Sequence, residues 1–209
     1  MPELEPTQII VLAVLGAIAA IALFVALARA QARRFVERVA PAFDFGTVRR
    51  AATVPPAVEG LRDGYSCRYA VEHRSQYSSG GASVRIRASC TVTWSAARLD
   101  AGSRLLVSLG VLKDLAIGDD ELDQQLRFSA SDPSVLTTTL SQPLARQALR
   151  SLAASEGFAS ITVRPQRAEL KWSPRQEDLD EDPTMVRQRM STAVALLAAC
   201  GYPPLMGSS

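Results

Sequence analysis

Between Asp119 and Asp123 the chain places four acids in five positions, Asp119, Asp120, Glu121 and Asp123. Crowded oxygen ligands are what a hard divalent cation requires, so a magnesium, calcium or manganese site built on Asp119, Asp120 and Asp123 is one reading. The spacing is not that of a calcium loop, and neither a histidine nor a phosphate-binding segment accompanies it. The other reading is structural: Asp119 caps a short helix, Asp120 and Glu121 favour its positive end, and Leu122 and Leu126 turn inward four residues apart. Capping is the expected role, with no metal and no cofactor. Were the cluster to serve a ligand sensor or a metal-dependent enzyme, its carboxylates should converge in a concave pocket.

Other residues with chemistry to offer are few. His73 is the only histidine, so any imidazole-activated nucleophile must use it; on an apolar strand face beside a glycine loop it is expected to pack. There is no glycine-rich phosphate loop, no Cys-x-x-Cys pair and no nucleophile elbow. No catalytic residue is assigned, and the chain is expected to be no enzyme. Cys67 and Cys90 are a possible thiol pair. A hairpin turning between Ser78 and Ser79 sets Val71 against Ile86, Glu72 against Arg85 and Cys67 opposite Cys90. In a reducing compartment the pair stays reduced, and Cys200 has no evident partner.

Period-two alternation supplies the elements that position these groups. Tyr65, Cys67, Tyr69, Val71 and His73 share one strand face, and Val84, Ile86, Ala88, Cys90, Val92 and Trp94 share another. A third strand is expected over Arg104 to Val111, giving an antiparallel sheet with one covered face. Further on, Asp132-Pro133 opens a helix, a second runs from Pro143 to Ser155 with Gly157 closing it, and a last runs from Pro183 to Cys200. That last helix offers Val186, Met190, Ala193, Val194 and Leu197 to the core. Between the second and last helices, Ala159, Ile161 and Val163 face Trp172, Leu170 and Ala168 across a reversal at Pro165-Gln166. Proline cannot supply a positive φ, so this turn is expected to be wider than two residues. The segment Glu177-Asp178-Leu179-Asp180-Glu181-Asp182 holds five acids in six positions and is expected to be a solvated loop feeding charge to the last helix.

The stretch Gly118-Asp119-x-x-Leu122-Asp123-x-x-Leu126-x-Phe128 resembles the Gly-Asp-x-x-Phe-Asp-x-x-Phe-type signature of uncharacterised bacterial membrane-anchored domains, with Gly64-Tyr65 matching their earlier Gly-Tyr segment. The resemblance covers residues 60 to 200, although both phenylalanines are leucine here. It implies an architecture and a bacterial setting, and it brings no catalytic residue with it.

An uncharged run of twenty residues, Ile9 to Ala28, precedes all of this, with Glu3 and Glu5 before it and Arg29, Arg33, Arg34 and Arg38 after it. Its length matches a bilayer, and the arginines orient such a span with the N-terminus outside and the remainder cytoplasmic. Within it Ala13, Gly16, Ala17 and Ala20 offer a small-residue stripe for a second helix. The expected plan is α+β, a single N-terminal transmembrane helix followed by an antiparallel-sheet domain with packed helices. Residues 1–8 form an extracytoplasmic tail, 9–28 the transmembrane helix, 29–60 a juxtamembrane helix and connector with little regular structure, 61–202 the cytoplasmic α+β domain, and 203–209 a tail. The expected location is the bacterial inner membrane, single-pass. Beyond the run, 23 bases face 19 acids, a balance too even for a nucleic-acid partner. The expected function is a membrane-anchored, non-enzymatic interaction or scaffold module; its partners are the lipid bilayer and a protein or a second copy.

Overall fold

The computed structural model describes residues 6–49, 57–72, 81–100, 109, 114–173 and 182–205. A helix, α1 (Pro6–Val39), leads through a 3-10 turn (Ala40–Ala42) into β1 (Thr47–Arg49), β2 (Ala57–Arg62), β3 (Tyr65–Glu72), β4 (Gly81–Arg87) and β5 (Trp94–Arg98). Then come α2 (Asp120–Gln125), β6 (Leu126–Ala130), α3 (Pro133–Thr139), α4 (Pro143–Ala154), β7 (Phe158–Arg164), β8 (Arg167–Trp172) and α5 (Pro183–Ala199). The eight strands make one sheet in the order β1-β2-β3-β4-β8-β7-β5-β6. Every neighbouring pair is antiparallel. The expected α+β class with an antiparallel sheet is what the chain adopts.

Alternation decides which face is covered. Tyr65, Cys67, Tyr69, Val84, Ile86, Trp94, Ala96, Phe128, Ile161, Val163, Ala168, Leu170 and Trp172 are buried in one core with α4 and α5. Val186, Met190, Ala193, Val194 and Leu197 of α5 join them, on the face that helical spacing predicts. The opposite face is polar. One transverse row crosses all eight strands as Thr47, Glu59, Arg68, Arg85, Glu169, Thr162, Ser95 and Ser129. The outer edge of β6 is blunted by Asp114, whose Oδ1 accepts the Phe128 amide at 2.8 Å, while the Leu115 amide donates to the Phe128 carbonyl. Edge pairing with a further strand is thereby interrupted.

Several expectations need correction. Among the described residues no helix is long and apolar enough to cross a membrane. The transmembrane reading of 9–28 therefore fails, together with the single-pass topology and the inner-membrane location, whose N-outside, C-terminal-cytoplasmic orientation rested on that span. Nor does the helix stop where the run stops. It continues past exposed Arg33, Arg34 and Arg38, with Arg33 Nε donating to Glu37 Oε1 at 3.0 Å, until Val39 is fully buried in the domain core.

In the part of the 29–60 segment expected to be a connector with little regular structure, Thr47–Arg49 and the start of Ala57–Arg62 are strands of the sheet. The β3–β4 register puts Cys67 opposite Ile86 and Val71 opposite Ala82, four residues away from the expected pairing. Cys90 lies beyond the end of β4, so it does not face Cys67. An even slip leaves every side chain on its predicted face, which is why the core was placed correctly while the thiol pair was not. The Pro165-Gln166 turn has two residues after all. Arg164 pairs with Arg167, and the positive φ of 65° falls on Gln166, as in a type II turn. A bulge between Phe158 and Ser160 puts Phe158, in place of Ala159, opposite Trp172. The Ser78–Ser79 turn, His73 and the strand expected over Arg104–Val111 lie outside the described residues, apart from Leu109, which is an exposed turn residue.

Candidate functional site

The motif from Ile117 to Phe128 builds a locked turn. Gly118 takes a φ of 72°, open to glycine, and sends Asp119 into extended geometry as the N-cap of α2. Asp119 Oδ1 accepts the Leu122 amide at 3.3 Å. Asp123 reaches back the other way, accepting the Ile117 amide on Oδ1 at 3.0 Å and the Gly118 and Asp119 amides on Oδ2 at 3.1 Å each. Both motif carboxylates are spent on backbone donors that a helix start leaves over.

Two arginines of α4 then fasten this turn to the helix layer. Arg150 Nη2 donates to Asp119 Oδ2 at 2.5 Å and its Nε lies 3.1 Å from Glu121 Oε2. Arg146 donates to the carbonyls of Leu140 and Ile117, at 2.6 and 3.1 Å. Asp119 is 6% exposed, so its charge is compensated inside the fold by an arginine fork. Asp120 is exposed beside it, with no role in the clamp. Among the described residues no three His, Cys, Asp or Glu side chains are grouped to hold a metal ion.

The thiols are equally occupied. Burial pushes Cys67 up to about 12, with the Asp63 carboxylate adding to the effect, and burial alone takes Cys200 to about 12. Burial also raises Cys90, against backbone hydrogen bonds that lower it; its Sγ donates to the Arg164 carbonyl at 2.7 Å. All three are free and buried. Protonated thiols of this kind are poor nucleophiles.

A cleft of about 270 Å³ lies between α4 and α5, lined by Ser151, Ser155, Glu156, Met185, Arg189 and Thr192 among others. No sequence motif pointed to it. Arg189, 8% exposed, forms its inner wall. Its guanidinium lies 5.3 Å over the Trp172 ring and donates to the Glu156 carbonyl just past the end of α4, where a cation is favoured. The three hydroxyls in the cleft each donate to a helix carbonyl, Ser151 to Gln147, Ser155 to Leu152 and Thr192 to Gln188. None is poised as an activated nucleophile. Among the described residues every buried side-chain nitrogen and oxygen has a hydrogen-bond partner.

The other unusual surface is α1 itself. Its side chains Leu12, Val14, Leu15, Ile18, Ile21, Leu23, Phe24, Val25 and Leu27 are all exposed, Phe24 by 73%. At 100° per residue these nine point around the whole circumference. The lower end of α1 is fixed by contrast. Val39, Ala42 and Phe43 are buried, and Arg187 of α5 donates to the Pro41 carbonyl. Arg62 bridges Asp44 Oδ1 at 2.9 Å and Ser191 Oγ at 2.7 Å, and Ser191 donates to Asp63 Oδ2 at 3.1 Å. Gly60 lets the strand pass against Phe43, Phe45 and Gly46, where a Cβ would meet the Phe45 carbonyl oxygen. Arg33, Arg34 and Arg38 are exposed on the stem above this neck; the Arg29 side chain is outside the described residues.

No family model matches the chain, and none of the curated proteins compared with it does. Among solved structures, the crystal structure of the mycobacterial trehalose monomycolate transport factor A, TtfA, is similar with a TM-score of 0.46 and 10% identity. The match covers 84% of this chain and 99% of that one. At that score the likeness decides neither fold family nor function.

Proposed function

We propose that this chain is a non-enzymatic interaction module whose apolar arm, α1, packs against a partner protein while the sheet domain fixes the arm's direction. One observation carries the reading: nine large apolar side chains stand exposed around α1, and the same helix ends in the domain core. A helix that is apolar on every side is covered in its working state, and exposed apolar surface of this extent marks an interaction site. The Arg62, Asp44, Asp63 and Ser191 network supports the second half of the proposal, because a neck tied to both β2 and α5 transmits orientation. Clamped carboxylates, raised thiols and engaged hydroxyls leave the described residues without an evident catalytic constellation. The resemblance of residues 118–128 to uncharacterised bacterial domains adds no catalytic residue to this.

Site-specific photocrosslinking of the full chain in cells tests it. A probe at Phe24 should give one discrete protein adduct, and a probe at Thr137, exposed on α3, should not. The captured protein, once identified and purified, should bind the wild-type chain and lose most affinity for Ile18→Asp/Phe24→Asp. Adducts with lipid alone, or equal binding of the variant, would overturn the proposal.

A further inference from the structure

Charge on the polar sheet face is distributed unevenly. Arg87 closes β4, Arg167 opens β8 directly opposite it, and Arg164 closes β7 opposite Arg167. All three alternate with buried neighbours, namely Ile86, Ala168 and Val163, so all three stand on the polar face, and all three are exposed. Opposed residues on adjacent strands are about 5 Å apart at Cβ, and like charges placed so repel. The acids on this face are engaged elsewhere: Glu169 pairs with Arg85 at 3.1 Å, and Glu59 lies 3.7 Å from Arg68. Among the described residues no ion pair involves Arg87, Arg164 or Arg167. Three adjacent guanidinium groups are a fork array suited to several carboxylates at once.

The chain also contains the complementary chemistry. Glu177, Asp178, Asp180, Glu181 and Asp182 follow the last residue of β8, whereas Arg167 is its first. Asp182 is committed to capping α5 through the Thr184 amide, which leaves four acids, all outside the described residues. At about 3.3 Å per residue the two ends of β8 are roughly 17 Å apart. A second molecule turned end for end meets both groups at once, its acids on this arginine row and its arginines on these acids, so that one contact is made twice. We propose that the arginine row of Arg87, Arg164 and Arg167 receives the 177–181 acidic segment of a second copy of this chain.

Sedimentation of the full chain in a mild non-ionic detergent, which covers α1, tests this independently of the arm's own partner. Self-association should weaken about tenfold or more when salt rises from about 0.1 M to about 1 M, as the screening length falls to about 3 Å. Apolar association through α1 does not weaken with salt in this way. Arg87→Glu/Arg164→Glu/Arg167→Glu and Glu177→Lys/Asp178→Lys/Asp180→Lys/Glu181→Lys should each remain monomeric, and an equimolar mixture of the two should associate again. Arg87→Gln/Arg164→Gln/Arg167→Gln serves if the glutamate variant does not fold, and it should also be monomeric. A mixture that stays monomeric, or wild-type association unmoved by salt, overturns the proposal. So does a wild-type chain that is monomeric at every concentration.

Discussion

Asp123→Asn separates the locked-turn account of the acidic motif from the metal account. The carboxylate accepts three amides, from Ile117, Gly118 and Asp119. An amide side chain of the same shape keeps one oxygen. Turned one way it serves Ile117 and presents its NH2 to the other two donors; turned the other way it orphans Ile117. A hydrogen bond to a charged acceptor contributes about 1.5–3 kcal/mol, against about 0.5–1.5 for a neutral one, and an orphaned buried donor costs about 1–3. Gly118 is exposed, so water replaces part of that loss. The expected destabilisation is about 2 kcal/mol, a fall of roughly 4–8 °C in Tm for a chain of this size. Asp120→Asn, on an exposed residue outside the clamp, should stay within about 0.5 kcal/mol of wild type. Thermal and denaturant unfolding, followed by far-ultraviolet circular dichroism with EDTA or millimolar magnesium, calcium or manganese, give both values. An Asp123→Asn protein as stable as wild type refutes the hydrogen-bond reasoning. A wild-type chain that loses stability in EDTA, beside an Asp123→Asn chain that does not respond, makes Asp123 a metal ligand.

Gly60→Ala should loosen the neck, because its Cβ would meet the Phe45 carbonyl oxygen and come within 3.0 Å of Phe43 Cβ. A cost of about 1–3 kcal/mol is expected for such overpacking. Spin labels on α1 and on the domain should show a broader distance distribution, and an unchanged distribution would mean that the neck does not set the arm's direction. The buried thiols make a pH prediction of definite sign. Cys67 and Cys200 rise from 9.0 to about 12 on folding, so their contribution is fully present below pH 9 and is lost as pH climbs through 9 towards 12. Unfolding at stepwise alkaline pH checks this. At pH 8 a thiol raised this far is protonated and buried, so iodoacetamide should label Cys67 in denatured protein and scarcely at all in native protein.

Period two and period 3.6 were legible in the chain, and they fixed which side chains go inside. Tyr65, Cys67, Tyr69, Val84 and Ile86 lie on the predicted faces, and so do Val186, Met190 and Leu197 on α5. Partners across the sheet were not legible, because the loop sets the register, and a slip of four residues changes every partner without moving one side chain to the other face. Asp119 and Asp132 could be read as caps, since an acid before a helix start needs only local chemistry. The same locality hid the clamp, because Arg146 and Arg150 reach the turn from 28 or more positions away. Sequence distance concealed the arginine row still more completely. Arg87 and Arg167 are 80 positions apart and meet only because β8 inserts beside β4. The signal the chain carries is alternation, since Arg87, Arg164 and Arg167 each adjoin a member of the apolar set, Ile86, Val163 or Ala168. Charges of one sign at the ends of three strands become a site only once the sheet order is known.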